Sequence, residues 1–249
     1  MRNLTRLAAT VFVGVCCCLP GQAQLQLAQN EDITRLIANP SFESTEFTSL
    51  GVYPGDEDKG YSKGSGGQRN QPEGWTLEAI FCNWNDAQPV NADGLDGTFK
   101  NASDGTRFFN TWSNSYVSSS IYQSIADLPA GAYKLSADMR QTGGVDQLYN
   151  QHVYGVNSDG LTFNSSYLSA KGSGPADENW ENLEVIVIMK NPGSLTLGAT
   201  GAGPLPDGKP QDGSRGWFQC DNFHLIYLGG GMNTWFSTGV PSWKKLMVH

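Results

Sequence analysis

Apolar and polar positions alternate along much of the chain, and helical spacing is nearly absent. In the stretch AYKLSADMR, Tyr133, Leu135, Ala137 and Met139 fall on one parity and Lys134, Ser136, Asp138 and Arg140 on the other, the period-two pattern of a half-buried strand. SLTLGAT and FHLIYL predict two more strands, with Leu195 and Leu197, and Phe223, Leu225 and Tyr227, turned inward together. LEVIVIMK, from Leu183, is apolar on both parities, which predicts a strand covered on both faces or at the centre of a sandwich. Turn signals separate the runs: LPAG at 128–131, SDG at 158–160 and NPG at 191–193. Many short strands with Gly- and Pro-rich turns predict an all-β fold, an antiparallel β-sandwich of jelly-roll type.

Three stretches lack periodicity, at 51–74, 172–178 and 201–216. Long polar loops at one end of a sandwich are where binding surfaces tend to be built. After Leu228 a triple glycine reads as a hinge, and the tail beyond it carries Trp235, Phe236 and Trp243 without strand patterning. Near the start, RLIANPSFES (35–44) poses a question: an apolar run stops at Asn39-Pro40, and Glu43 follows Phe42 directly. Proline cannot donate to a strand ladder and holds its predecessor extended, so a bend at a sheet edge is expected here. Glu43 is then either the solvent face of the next turn or the partner of a cation.

The N-terminus narrows the compartment. Arg2 and Arg6 precede an apolar stretch from Leu7 to Leu19 and then PGQA, the pattern of a secretory signal peptide cut after Ala23. This divides the chain into a signal peptide at 1–23, a linker at 24–31, one domain at 32–228 and a tail at 229–249. The expected location is secreted, periplasmic or cell-surface. A lipoprotein reading of Cys16–Cys18 is weaker, because Val15 stands where a lipobox wants a small residue. Cys82 and Cys220 remain, either paired in an oxidising compartment or as two small buried residues.

Loss of the leader removes two arginines and no acid, so the net charge moves from −8 to −10. Nucleic acid and anionic membranes are therefore poor partners. No second apolar run approaches the roughly 20 residues of a spanning helix.

Catalytic material is thin. The histidines are His152, His224 and His249, and His224 sits mid-strand where a satisfied structural role is expected. Nucleophile-elbow, phosphate-loop and zinc-helix patterns do not occur. Asp56-Glu57-Asp58 resembles the opening of a calcium loop without its later ligands. No catalytic residue is assigned, although paired carboxylates for glycoside hydrolysis stay open.

The aromatics point elsewhere. Sugar rings stack their C–H faces on Trp and Tyr, while their hydroxyls take Arg, Asn, Gln and Asp. Such company surrounds Trp84 in FCNWNDAQ, Trp112 and Tyr116 in NTWSNSY, and Tyr149 and Tyr154 in QLYNQHVY. Trp75, Trp180 and Trp217 stand at strand starts and are expected as core plugs. Arg140 ends its alternating strand beside QTGG, which brings Gln141, Tyr149 and Asn150 near one strand end. There a guanidinium fork can hold two hydroxyls and a ring can take the C–H face. The competing reading makes Arg140 half of a surface ion pair with Asp138 or Asp146. The expected ligand set is thus Trp84, Trp112, Arg140, Gln141, Tyr149 and Asn150.

Taken together, NPSFES, GW at 74–75, SDGTRFF, YQSIADLPAGAYKLSADMR, NWENLEVIVI and CDNFHLIYL resemble the galactose-binding-like jelly rolls among carbohydrate-binding modules, especially families four, nine and twenty-two. They are also similar to modules that Bacteroidetes attach to secreted glycan-degrading enzymes. The resemblance spans roughly 32–228. It implies a structural Ca²⁺ held by Glu43, Asp104, Asp221 and the carbonyl of Arg107, stapling the first strand to the last. It further implies a secreted, noncatalytic module that binds an oligo- or polysaccharide, joined to a catalytic domain or to cell-surface glycan-utilisation proteins. The alternatives are a hydrolase or lyase using paired carboxylates, and a protein-binding adhesin or scaffold domain.

Overall fold

The computed structural model describes residues 25–52, 68–79, 88–91, 102–113, 119–142, 151–169, 180–201 and 216–230. In chain order the strands are β1 (Glu31–Asp32), β2 (Phe47–Val52), β3 (Gln68–Pro72), β4 (Thr76–Ala79), β5 (Gln88–Asn91), β6 (Arg107–Ser113), β7 (Ser119–Leu128) and β8 (Gly131–Thr142). They continue with β9 (His152–Val156), β10 (Thr162–Asn164), β11 (Glu181–Met189), β12 (Gly193–Gly201) and β13 (Gly216–Gly229). Two antiparallel sheets result. The first runs β11-β8-β13-β6-β5 with β1 added to β13, and the second runs β10-β9-β12-β7-β4, while β2 and β3 pair by themselves. The strands pair antiparallel and the two sheets share one apolar core, which makes this an antiparallel β-sandwich, with crossovers in both sheets.

The alternation of β8 does what period two requires. Tyr133, Leu135, Ala137 and Met139 are buried between the sheets, opposite Leu77, Ile121, Leu197, Ala199 and Val153 of the second sheet in one apolar cluster. The sheets approach closely at Gly155, where a Cβ would collide with the Val187 side chain. At one end the gap is filled by Phe42, Trp75, Phe109 and Phe223, with the Phe42 ring 5.1 Å from Trp75 and 5.8 Å from Phe109, and Trp75 4.7 Å from Phe223. Each buried ring of this kind contributes about 1.5–3 kcal/mol by leaving water. Trp75 is the core plug expected of it, and its indole Nε1 donates to the Asn39 carbonyl.

One strand expectation and one bend expectation need correction. β11 is apolar on both parities, yet it lies at a sheet edge with one face open: Leu183, Val185, Val187 and Met189 are buried, whereas Ile186 is 42% exposed. Run composition cannot distinguish a central strand from an edge whose outer face tolerates isoleucine. The bend expected at Asn39-Pro40 is present, but Asn39 is not held extended. Thr34–Leu36 form a single 3-10 turn after the two-residue β1, and Asn39 and Phe42 take positive φ. The chain therefore turns inward, seating Ile33, Ile37 and Phe42 in the core. Gln123 substitutes for a ladder at this turn, its amide accepting from the Ala38 N–H and donating to the Ala38 carbonyl.

Candidate functional site

On the outer face of the first sheet, one row of residues runs across adjacent strands. The register pairs Gln219 of β13 with Asn110 of β6 on one side and with Arg140 of β8 on the other. All three side chains are buried, although they face away from the sandwich core. Arg140 Nε donates to Gln219 Oε1 at 2.8 Å, and Gln219 Nε2 donates to Asn110 Oδ1 at 2.9 Å. The relay has a direction, and its last donor, Asn110 Nδ2, has no hydrogen-bond partner among the described residues. Aromatic rings wall the row: the Arg140 guanidinium lies 4.2 Å from the Trp180 centroid and 5.2 Å from that of Phe108. Such contacts hold a planar cation in a fixed orientation. Trp180 is thus no plug of the main core; with Phe108 it forms a separate small cluster on the outer side.

Arg140 therefore faces the side that alternation assigns to it, but it is a buried group inside a polar cluster rather than a surface arginine. The backbones of Gln141 and Trp112 lie in β8 and β6, and Trp112 registers with Trp217. Trp84, Tyr149 and Asn150 lie outside the described residues, as do Tyr116, Cys82, the segment 1–23 and Asp56–Asp58. Gln219 and Asn110 were not singled out from sequence. Their signal is a polar residue at outward parity between aromatics, in GWFQCDNF and RFFNTW.

A second constellation ties the N-terminal segment to the last strand. Glu43 accepts the backbone N–H groups of Thr106 and Arg107, both at 2.7 Å, and the Thr106 hydroxyl at 2.9 Å. Gly105 makes this approach possible: at φ +66° it sits where a Cβ would fall 2.5 Å from the Glu43 carboxylate. Asp221, fully buried, accepts the N–H groups of Ser103 and Asp104, and the Ser103 hydroxyl donates to Asp138. Asp104 itself accepts from the Ser41 hydroxyl at 2.8 Å. Burial pushes the Asp221 carboxyl up to about 7 against the downward pull of its hydrogen bonds.

The residues that the resemblance implies as Ca²⁺ ligands, Glu43, Asp104, Arg107 and Asp221, all meet at the loop 102–107. Glu43 and Asp221 point at amide hydrogens, which would repel a cation, and they do so at different parts of the loop. Among the described residues no group of three or more His, Cys, Asp or Glu side chains could hold a metal ion.

His224 is satisfied by Asn222 and Thr34. Cys220 is a buried free thiol whose pKa burial raises. No helix among the described residues is long and apolar enough to cross a membrane.

No protein-family model matches the chain. A search of curated proteins also finds no match. Among solved structures, the chain is similar to TmCBM61 in complex with β-1,4-galactotriose, with 17% identity, TM-score 0.47, and coverage of 80% of this chain and 99% of the other. It is similar to the CBM22-1 xylan-binding domain of Paenibacillus barcinonensis Xyn10C, at 13% identity and TM-score 0.40 over 82% and 98% of the two chains. It is also similar to the C-terminal family 22 carbohydrate binding module of Clostridium thermocellum Xyn10B, at 14% identity and TM-score 0.37 over 68% and 91%. Carbohydrate-binding modules, family 22 among them, are thus the kind of structure this chain resembles.

Proposed function

We propose that the chain is a secreted, noncatalytic glycan-binding module whose primary site lies on the outer face of the first sheet. The observation that carries this reading is the row Arg140–Gln219–Asn110, a buried relay that runs from a guanidinium lying against Trp180 and Phe108 to the amide N–H of Asn110, which has no hydrogen-bond partner among the described residues. Sugar hydroxyls both donate and accept, so an oriented donor at the end of a fixed relay suits them, and the rings suit their C–H faces. Gln141, Tyr149 and Asn150 remain candidate ligands with Arg140, and Trp84 and Trp112 remain candidates for a site at the loop end.

The hydrolase alternative is supported less. The carboxylate pair the register brings together on this face, Asp138 and Asp221, is engaged by Ser103, Asp104, Asn182 and Asn222.

Isothermal titration of the full chain against β-1,4-galactan, xylan and mixed-linkage β-glucan tests the reading. Saturable binding with no release of reducing sugar is expected, and Asn110→Ala should weaken it about three- to tenfold, the worth of roughly one hydrogen bond. A folded chain that binds none of these and no other polysaccharide overturns the proposal.

A further inference from the structure

The second sheet also has an outer face, and it differs from an ordinary solvated one. Its central row is Thr76, Tyr122, Gly198, Tyr154 and Asn164, five residues in register across five strands. Gly198 leaves a gap in the middle: a Cβ there would meet the Ile121 carbonyl, the Tyr122 Cβ at 2.8 Å and the Tyr154 ring at 3.0 Å. The Tyr154 ring is thereby laid over bare backbone, and its hydroxyl is fixed by Ser120 at 2.7 Å. The next row carries Glu78, Ser120, Thr200 and His152, and the His152 ring continues the aromatic strip, 6.4 Å from Tyr154 and 5.4 Å from Tyr167. On the other side Ser124 and Thr196 share a hydroxyl pair at 2.6 Å.

These rows hold no lysine or arginine, and Glu78 is their one carboxylate. A chain with 24 acidic and 16 basic residues has charge to spend, yet it leaves this open face almost without any. Solvated surfaces are ordinarily rich in mixed charge, whereas recognition surfaces are depleted of it and enriched in Tyr, Ser, Gly and Asn. We propose that this face is a second glycan-binding surface, taking a neutral polysaccharide chain laid across Tyr122, Tyr154 and His152. A neutral ligand follows from the charge. Among the described residues of these rows there is no lysine or arginine to hold a uronate or sulfate, and the net charge of −8 opposes an acidic polymer. A sugar chain also suits the face better than a protein partner, because the rows offer rings and hydroxyls with Val156 as the one aliphatic side chain.

Affinity electrophoresis of the full chain in gels containing β-1,4-galactan, xylan, mixed-linkage β-glucan or, as the charged control, polygalacturonate tests this. Asn110→Ala, Tyr122→Ala and the double variant are run beside the parent, with Tyr154→Phe as a variant that keeps the ring over Gly198 and removes only its hydroxyl. Expected are retention of the parent by at least one neutral polymer, residual retention of Asn110→Ala, a three- to tenfold loss in Tyr122→Ala, a smaller loss in Tyr154→Phe, and near-complete loss in the double variant. Retention of Tyr122→Ala and Tyr154→Phe equal to the parent on every neutral polymer overturns the second surface while leaving the first intact. Preferential retention by polygalacturonate overturns it as well.

Discussion

The two outer faces of the sandwich are built from the same alternation and end in opposite states. On the first sheet the outward positions Arg140 of β8 and Gln219 and Asp221 of β13 are buried, with hydrogen bonds among themselves and to the loop 102–107, while Lys134 is half-buried and Glu184 and Ile186 towards the β11 edge are exposed. On the second sheet the outward positions Ser124, Thr76 and Glu78 are exposed and Tyr122, Tyr154 and Thr196 only half-buried. Alternation decides which side chains leave the core. What lies over them afterwards decides whether they meet water. A covered face stores its polar groups in relays with fixed direction; an open one uses hydroxyls and rings whose partners water can replace.

Substitution of Arg140 should break this contrast most visibly. Arg140→Ala removes a fully buried side chain stacked on Trp180 and Phe108 and leaves Gln219 Oε1 without its donor. Cavity and unsatisfied-acceptor terms together predict a loss of about 3 kcal/mol, read as a lower midpoint in urea with unchanged slope. A surface arginine would have cost almost nothing. A loss below about 0.5 kcal/mol would mean that the first face is as open as the second.

Gly198→Ala probes the other side. Its methyl would press on the Ile121 carbonyl and the Tyr154 ring in the central strand of the second sheet. Overpacking of this kind costs about 1–3 kcal/mol, and the displaced ring should also weaken any ligand held on that face. A fully stable Gly198→Ala variant would show that Tyr154 is free to swing off the backbone.

The clasp formed by Glu43 comes next in size. Glu43→Gln keeps one oxygen for the Thr106 and Arg107 N–H groups but replaces the oxygen that accepts the Thr106 hydroxyl with an NH2 group and removes the charge, at an exposed position, for about 1 kcal/mol. The clasp works through amides, so EDTA and added calcium should leave the melting curve of the parent unchanged. A rise in melting temperature with calcium that Glu43→Gln abolishes would restore the metal role to Glu43, Asp104, Arg107 and Asp221.

These effects also mark what the sequence could and could not disclose. The inward set of β8, the turns at 129–130 and 190–192, and the meeting of Glu43 and Asp221 at SDGTRFF were legible, the first two from period and turn chemistry, the third from motif resemblance. Each rests on local geometry or on a spacing preserved in a known fold. The burial of Arg140, the outward position of Trp180 and the edge position of β11 were not legible. Each depends on which strand lies beside which, and on chain segments far away in sequence. Asn110 and Gln219 were missed for the same reason: either amide alone in a strand is unremarkable, and only the register that stacks them beside Arg140 makes them a relay.

The smallest expected effect is the sharpest control on the contrast. Ser124 and Thr196 form a hydroxyl pair as short as any on the molecule's covered side, at 2.6 Å, but in the open. In Ser124→Ala, water can take the place of the lost hydroxyl beside Thr196, so the net change should stay within about 0.5 kcal/mol, whereas the same deletion in a buried pair costs about 1–3 kcal/mol. The two numbers differ only through access to water. Thermal and urea midpoints of Ser124→Ala should accordingly overlay those of the parent. If Ser124→Ala instead falls as far as Arg140→Ala, the Ser124–Thr196 pair is shielded from water in solution, and the difference between the two faces disappears.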